Sequence, residues 1–164
     1  DILKINLSEL MPQKFKVVAN LPYYITTQIL LSLLEKKLPI TKIVTMVQRE
    51  VAERMTAAPN SKIYGALSVA VQFRADTKIA FDVTPEKFLP RPEVTSSVVV
   101  CDIREFPAKV SDEEFFIKVV RAGFNQRRKT ILNSLIGAGF NREVILKSLD
   151  SGFKLAKRFT VSLE

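Results

Sequence analysis

The sequence predicts an α/β fold, with a sheet-containing unit over residues 1–106 followed by a small all-α unit over residues 107–164. Two observations lead to this prediction. Up to residue 103, short β-branched apolar segments alternate with amphipathic segments, which is typical of a sheet with helices packed on it. After Pro107, amphipathic segments follow one another, and two of them end at glycines in the manner of helix C-termini.

The first four predicted elements indicate a strand–helix–strand crossover. "KFKVVAN" (14–20) and "KIVTMVQ" (42–48) have the pattern of buried strands. Between them, Thr26 or Thr27 is predicted to cap a helix that runs through "QILLSLLEKK" and that Pro39 ends. "REVAERMTA" then continues as a short amphipathic helix. This order implies parallel strands with helices on the faces of the sheet.

The next segments are less uniquely determined. "GALSVAVQF" (65–73) fits a buried helix or a strand, because periodicity does not separate the two. Segments 77–85 and 96–103 are predicted as strands, and the linker "EKFLPRPEV" is expected to be extended and rigid because of its prolines. Ser111 is predicted to cap the first helix of the all-α unit.

The composition narrows the function classes. The 164 residues include no histidine and one cysteine, Cys101, which rules out an internal disulfide, a Ser-His-Asp triad and a typical zinc site. The sequence has neither a membrane-span pattern nor a signal-peptide pattern, so we expect a reducing, cytoplasmic setting. The net charge is +8, and residues 104–164 hold 12 Lys/Arg against 7 Asp/Glu. This excess indicates either a solubilising surface or a polyanionic partner.

The segment "VVANLPYYITT" (17–27) carries the most chemistry. Asn20 lies at the carboxyl end of a predicted strand, where open α/β sheets bind their ligands. Pro22 fixes the local backbone, so the Asn20 amide and neighbouring carbonyls are free to face a crevice, and Tyr23 adds a flat apolar surface. Hydrogen-bond acceptors beside an aromatic ring suit an amino group on a planar base. The alternative is a strand that ends in a proline turn with a packed tyrosine.

Further motifs extend this reading along almost the whole chain. "VVANLPYYITT", "MVQREVAERMTAAPNSKIYGALSVAVQ", "FLPRPEVTSSVV" and "FNQRRKTILNSL" occur in this order. Together they resemble the bacterial KsgA-type ribosomal RNA adenine dimethyltransferases, whose relatives are the Erm antibiotic-resistance methyltransferases and the mitochondrial transcription factor B proteins. The resemblance implies a Rossmann-like, S-adenosylmethionine-dependent methyltransferase sheet followed by a helical RNA-binding domain.

The resemblance also implies roles for individual residues. Asn20, Leu21, Pro22 and Tyr23 would form the catalytic motif: Asn20 and the Leu21 carbonyl would accept hydrogen bonds from the target amine, and Tyr23 would stack on a flipped adenine. Phe88 would contact the base from the other side, although an ordinary core phenylalanine is the alternative. The implied cofactor contacts are Asp1 and Asn20.

Five cations are implied as RNA contacts. Arg127, Arg128 and Lys129 are predicted to open a helix, where three positive charges oppose the helix dipole. They form either a solvated charge run or a phosphate-binding cluster, and the resemblance implies the second. Arg91, between two prolines, and Arg49, in "VQRE", are weaker candidates for phosphate contacts.

One expected feature is missing. The glycine-rich loop that holds the cofactor in such folds does not occur, since the five glycines at 65, 123, 137, 139 and 152 do not form it. We therefore expect a fragment that comprises the target-base half of the catalytic domain plus most of the helical domain, and that binds cofactor poorly alone.

The resemblance implies dimethylation of the N6 atoms of two adjacent adenosines in the 3′-terminal hairpin loop of small-subunit (16S) ribosomal RNA. It also implies a role in 30S subunit biogenesis, and a monomer that needs neither metal nor membrane. Three alternatives stay open: an Erm-type enzyme acting on 23S RNA, a non-catalytic rRNA-binding module, and a DNA adenine methyltransferase. The intact Asn20–Tyr23 motif disfavours the second, and Leu21 with the small helical tail disfavours the third.

Overall fold

The computed structural model describes residues 2–36, 38–105, 110–126 and 129–160, without the side chains of 153–160. The chain divides into two compact units, Asp1–Val110 and Ser111–Glu164. None of the helices described is long and apolar enough to cross a membrane.

The first unit is built on a four-stranded sheet in the order β1-β2-β4-β3. Its strands are β1 (Phe15–Asn20), β2 (Ile40–Gln48), β3 (Ala75–Val83) and β4 (Ser96–Ile103). The β1–β2 pair is parallel, as the crossover pattern predicts. β4 runs antiparallel to both β2 and β3, which that pattern does not predict.

Four helices accompany the sheet in the first unit: α1 (Leu7–Leu10), α2 (Thr26–Glu35), α3 (Arg49–Thr56) and α4 (Ala66–Arg74). Alternate strand residues such as Ile43 and Val99 pack against buried side chains of α2, α3 and α4, including Leu30, Met55 and Val71. These three helices therefore cover one face of the sheet. On the other face, Val18 of β1 remains 81% exposed.

Local hydrogen bonds explain where the helices begin. α4 resolves the ambiguity over residues 65–73 in favour of a helix, and Ser68 Oγ both accepts from the Gly65 N–H and donates to the Arg54 carbonyl. The predicted threonine cap of α2 is wrong. Ile25 holds the capping position, while Thr26 Oγ1 donates to the Pro22 carbonyl at 2.8 Å.

The second unit contains α5 (Glu113–Phe124), α6 (Ile131–Gly137) and α7 (Arg142–Thr160). Ala122, Leu135 and Ile145 form its buried core, one from each helix. The cap of α5 is Asp112, whose carboxylate accepts from the Phe115 N–H at 2.9 Å, and not Ser111 as predicted. Aspartate caps at least as well as serine, and here it is one residue closer to the first turn.

Candidate active site

An open cleft of about 320 Å³ lies at the carboxyl end of β1. Its lining consists of Asn20, Leu21, Pro22, Tyr23, Phe88, Pro90 and Pro92. The structure thus brings together two segments that are 65 residues apart in sequence, and all five residues predicted to be catalytic line this cleft. The lining presents two aromatic rings and amide or carbonyl groups, with no carboxylate or ammonium among the residues that form it.

Two hydrogen-bond acceptors at the end of β1 belong to cleft-lining residues and have no partner within the described chain. Asn20 is the last residue of the strand, its side chain is exposed, and no described residue forms a hydrogen bond with its amide. The Leu21 N–H still donates to the Met46 carbonyl of β2 at 3.5 Å, which keeps the backbone tied to the sheet. Within the described chain, no donor reaches the Leu21 carbonyl.

Pro22 ends the strand and starts the turn into α2. Its carbonyl accepts from the Ile25 N–H at 3.2 Å and from Thr26 Oγ1 at 2.8 Å. This carbonyl is therefore engaged within the protein, which distinguishes it from the Leu21 carbonyl. Because proline has no N–H and a fixed φ, Pro22 restricts the backbone directly after these two acceptors.

The Tyr23 ring is half-buried, and its hydroxyl is hydrogen-bonded to Ser96 Oγ at 2.6 Å. Ser96 is the first residue of β4 and is fully buried. Sequence reasoning missed Ser96. The available signal was a pair of serines at the start of an otherwise apolar buried strand, since such hydroxyls need a specific partner.

The opposite wall comes from the segment between β3 and β4. A short 3₁₀ turn (Pro85–Lys87) precedes Phe88, so the prediction of a fully extended linker is wrong at its start. Every second residue from Phe88 lines the cleft: Phe88, Pro90 and Pro92 belong to the lining, whereas Leu89 between them is 100% exposed. The prolines restrict this segment and hold the Phe88 ring at the cleft.

Arg49 and Arg91, the two predicted phosphate contacts in the first unit, form ion pairs within the chain. Arg49 Nε donates to Glu53 Oε1 at 2.9 Å, and its Nη1 lies 3.4 Å from Asp82 Oδ2. The hydrogen bond to Glu53 and the charge of Asp82 raise the pKa of Arg49, so it stays cationic. Arg91 pairs with Glu86 at 2.5 Å. All five side chains in these pairs are 40–65% exposed, so the pairs are weak and the arginines can exchange them for other anions.

The remaining predicted residues lie outside the cleft or outside the described chain. Lys129 is exposed in the second unit and precedes α6, which begins at Ile131 behind the cap Thr130, so it does not open that helix. Arg127 and Arg128, predicted beside it, and Asp1, predicted as a cofactor contact, lie outside the described residues.

The chain is similar to known proteins in sequence and in fold. The family model for ribosomal RNA adenine dimethylase matches residues 1–158. Proteins named ribosomal RNA small subunit methyltransferase A match closely. The one from Clostridioides difficile is 49% identical, over 91% of this chain and 54% of its own length. The one from Lachnoclostridium phytofermentans is 50% identical, over 82% of this chain and 49% of its own length. The chain thus spans about half the length of the curated relatives it matches.

Two solved structures have a similar fold. A dimethyladenosine transferase from Plasmodium falciparum superposes with a TM-score of 0.67 and 27% identity, over 86% of this chain and 50% of that one. The 23S rRNA methyltransferase ErmE gives a TM-score of 0.65 at 24% identity, over 92% of this chain and 59% of that chain. The second likeness concerns the fold alone.

Proposed function

Because this chain belongs to the ribosomal RNA adenine dimethylase family, we propose that it forms the part of a methyltransferase that holds the target adenine, together with a helical RNA-binding unit. The proposed reaction is S-adenosylmethionine-dependent dimethylation of the N6 atoms of two adjacent adenosines in the 3′-terminal hairpin loop of small-subunit rRNA. The observation that carries the proposal is the pair of unengaged acceptors, Asn20 amide and Leu21 carbonyl, beside the rings of Tyr23 and Phe88.

The chemistry of adenine explains why such a pair of acceptors matters. The N6 amine is a poor nucleophile because its lone pair is conjugated into the ring. If Asn20 Oδ1 and the Leu21 carbonyl each accept one N6–H, the lone pair is directed out of the ring plane. The same acceptors stabilise the positive charge that develops on nitrogen during transfer. No general base is needed in this role, in keeping with a lining of neutral side chains.

The aromatic walls account for how the base is held. A stacked base cannot reach this cleft, so the adenosine has to leave its stack and enter between Tyr23 and Phe88. Stacking on aromatic side chains contributes about 1–3 kcal/mol per base. The two walls thereby offset part of the cost of unstacking, while the acceptors select an exocyclic amine.

The described residues fit the target base better than they fit the cofactor. Asn20 is the one predicted cofactor contact that the structure describes, and none of the five glycines lines the cleft. S-adenosylmethionine, when bound, supplies an electrophilic methyl group. This chain's own contribution is to orient the amine, and we propose that the cofactor cradle is formed by residues that the family has beyond this chain.

The proposed partner is the 30S subunit, and we propose that a monomer acts on it in the cytoplasm. The positive net charge of the helical unit, with Lys129, Arg127 and Arg128, supports contact with RNA phosphates. We propose Arg49 and Arg91 as secondary RNA contacts, which exchange their present carboxylate partners for phosphates of the RNA backbone.

The substrate is tested with the complete protein that contains this chain. It is incubated with labelled S-adenosylmethionine and, in parallel, with small subunits lacking the dimethylations and with large-subunit rRNA. Label on small-subunit RNA supports the proposal. Label on large-subunit RNA makes the protein an Erm-type enzyme, and tight RNA binding without label makes it a binding module.

A further inference from the structure

A hydroxyl pair joins the cleft-lining Tyr23 to a buried serine of the sheet. Ser96 Oγ and the Tyr23 hydroxyl are 2.6 Å apart, and either atom can be the donor. Tyr23 belongs to the turn after β1, whereas Ser96 belongs to β4, 73 residues later. The hydrogen bond therefore connects the cleft-lining ring to a different strand of the sheet.

Ser96 occupies a rigid position. Its backbone pairs with Gln48 of β2 on one side and with Val83 of β3 on the other, so it lies in an interior strand. The preceding residue is tied as well, because the Thr95 carbonyl accepts from the Arg49 N–H at 3.0 Å. Ser96 itself is fully buried, and a buried hydroxyl without a partner is costly. The Tyr23 hydroxyl is its partner.

We propose that Ser96 is a positioning residue that fixes the plane of the Tyr23 ring against the target base. The ring is attached to a turn and is half-exposed, so its own packing does not immobilise it. Anchoring its distal oxygen to an interior strand removes rotation about the side-chain bonds and sets the angle at which a base stacks. Small displacements of such a surface lower turnover far more than binding. The effect of Ser96 on turnover can be measured only if the protein has the proposed function.

The test compares Ser96→Ala, Ser96→Thr and Tyr23→Phe, together with the Ser96→Ala/Tyr23→Phe double variant, in the complete protein. Ser68→Ala is the matched control, because Ser68 is equally buried and makes an equally short 2.6 Å hydrogen bond, to the Arg54 carbonyl, away from the cleft. The measurements are kcat and KM for small-subunit RNA, the melting temperature, and the orientation of the Tyr23 ring in crystal structures.

We expect Ser96→Ala to lower kcat about tenfold with KM within twofold, as loss of one positioning hydrogen bond implies. Ser68→Ala should lower the melting temperature to a similar extent without changing kcat, and Ser96→Thr should retain kcat. The double variant should be no slower than Tyr23→Phe, since both changes break the same bond. In crystals of Ser96→Ala, the ring should shift by about 1 Å or take two orientations.

An unmoved ring in Ser96→Ala, a kcat equal to that of Ser68→Ala, or multiplied effects in the double variant would each overturn the proposal. If the wild-type protein transfers no methyl group to any RNA, the proposed function fails, and the ring orientation alone then decides whether Ser96 positions Tyr23.

Discussion

At the residue scale, the cleft separates two kinds of task. Asn20 and Leu21 present acceptors, whereas Phe88 and Tyr23 present flat apolar surfaces. Removing a whole aromatic ring should weaken base capture, displacing a ring should mainly lower turnover, and removing an acceptor should slow the chemical step. The division predicts different kinetic consequences for substitutions only a few ångströms apart.

Phe88→Ala tests the second wall. Loss of one stacking surface should lower kcat/KM for the target RNA about tenfold, within the range of one base–aromatic stack. Phe81→Ala is the control, since Phe81 is 59% exposed on β3 and does not line the cleft. Steady-state kinetics with both variants decides the question. Equal kcat/KM for the two variants would return Phe88 to the role of an ordinary packing residue.

Because of Cys101, the free energy of unfolding should depend on pH, whatever the protein's function. Burial, with a smaller contribution from the charge of Asp102, raises the pKa of its thiol from 9.0 to about 12. The folded chain keeps the proton that the unfolded chain loses. The resulting contribution to the free energy of unfolding is complete below pH 9 and is lost as pH rises toward 12. Urea unfolding between pH 8 and 11 should show a shallower alkaline decline for Cys101→Ala than for wild type; parallel declines would contradict this.

At the element scale, the caps show what local sequence determines. Asp112 caps α5, and Thr130 Oγ1 accepts from the Asn133 N–H at the start of α6. Asp112→Ala should lower the stability of the second unit by about 1 kcal/mol, the usual value of a lost cap. Ser111→Ala is the neighbouring control and should change it by less than half as much. Chemical denaturation followed by circular dichroism measures both, and a larger loss in Ser111→Ala would reverse the assignment.

Strands and helices with strong patterns were predictable, as was the parallel β1–β2 pair, whereas the pairing of β4 was not. β1, α2, β2 and α3 follow from β-branched runs and amphipathic spacing, and Asn20 at the end of β1 follows from them. The antiparallel β4 between β2 and β3 depends on pairing across the sheet, which periodicity does not encode. Ser96 was missed for the same reason, because its role depends on a partner 73 residues away.

At the scale of the whole molecule, charge and cleft belong to two separate units. The cleft lies in Asp1–Val110, and the excess of basic residues lies largely in residues 104–164. Such a division fits a protein in which phosphate contacts supply affinity and the cleft supplies selectivity. Measuring RNA affinity at several salt concentrations separates the contributions of the two units to binding.

Reversing the charge of Arg127 and Arg128 should weaken RNA binding. Because two phosphate contacts are lost, the slope of log K for RNA binding against the logarithm of the salt concentration should also become shallower by about one to two. Lys14→Glu with Lys36→Glu alters the net charge equally at exposed positions of the first unit and should leave the slope nearly unchanged. Filter binding across salt concentrations measures both. Equal slopes in the two variants would mean that Arg127 and Arg128 are solvated surface charges and do not contact RNA phosphates.

The most direct test of the central claim is single-turnover methyl transfer by the complete protein, with nucleoside analysis of small-subunit RNA, comparing wild type with Asn20→Ala. Because Asn20 is exposed and its side chain makes no hydrogen bond with the described chain, the fold and RNA binding should be retained. We expect N6,N6-dimethyladenosine at two adjacent positions with wild type, and a rate at least 10²–10³-fold lower with Asn20→Ala at unchanged RNA affinity. Near-normal transfer by Asn20→Ala, or methylation at an atom other than N6, would contradict the account.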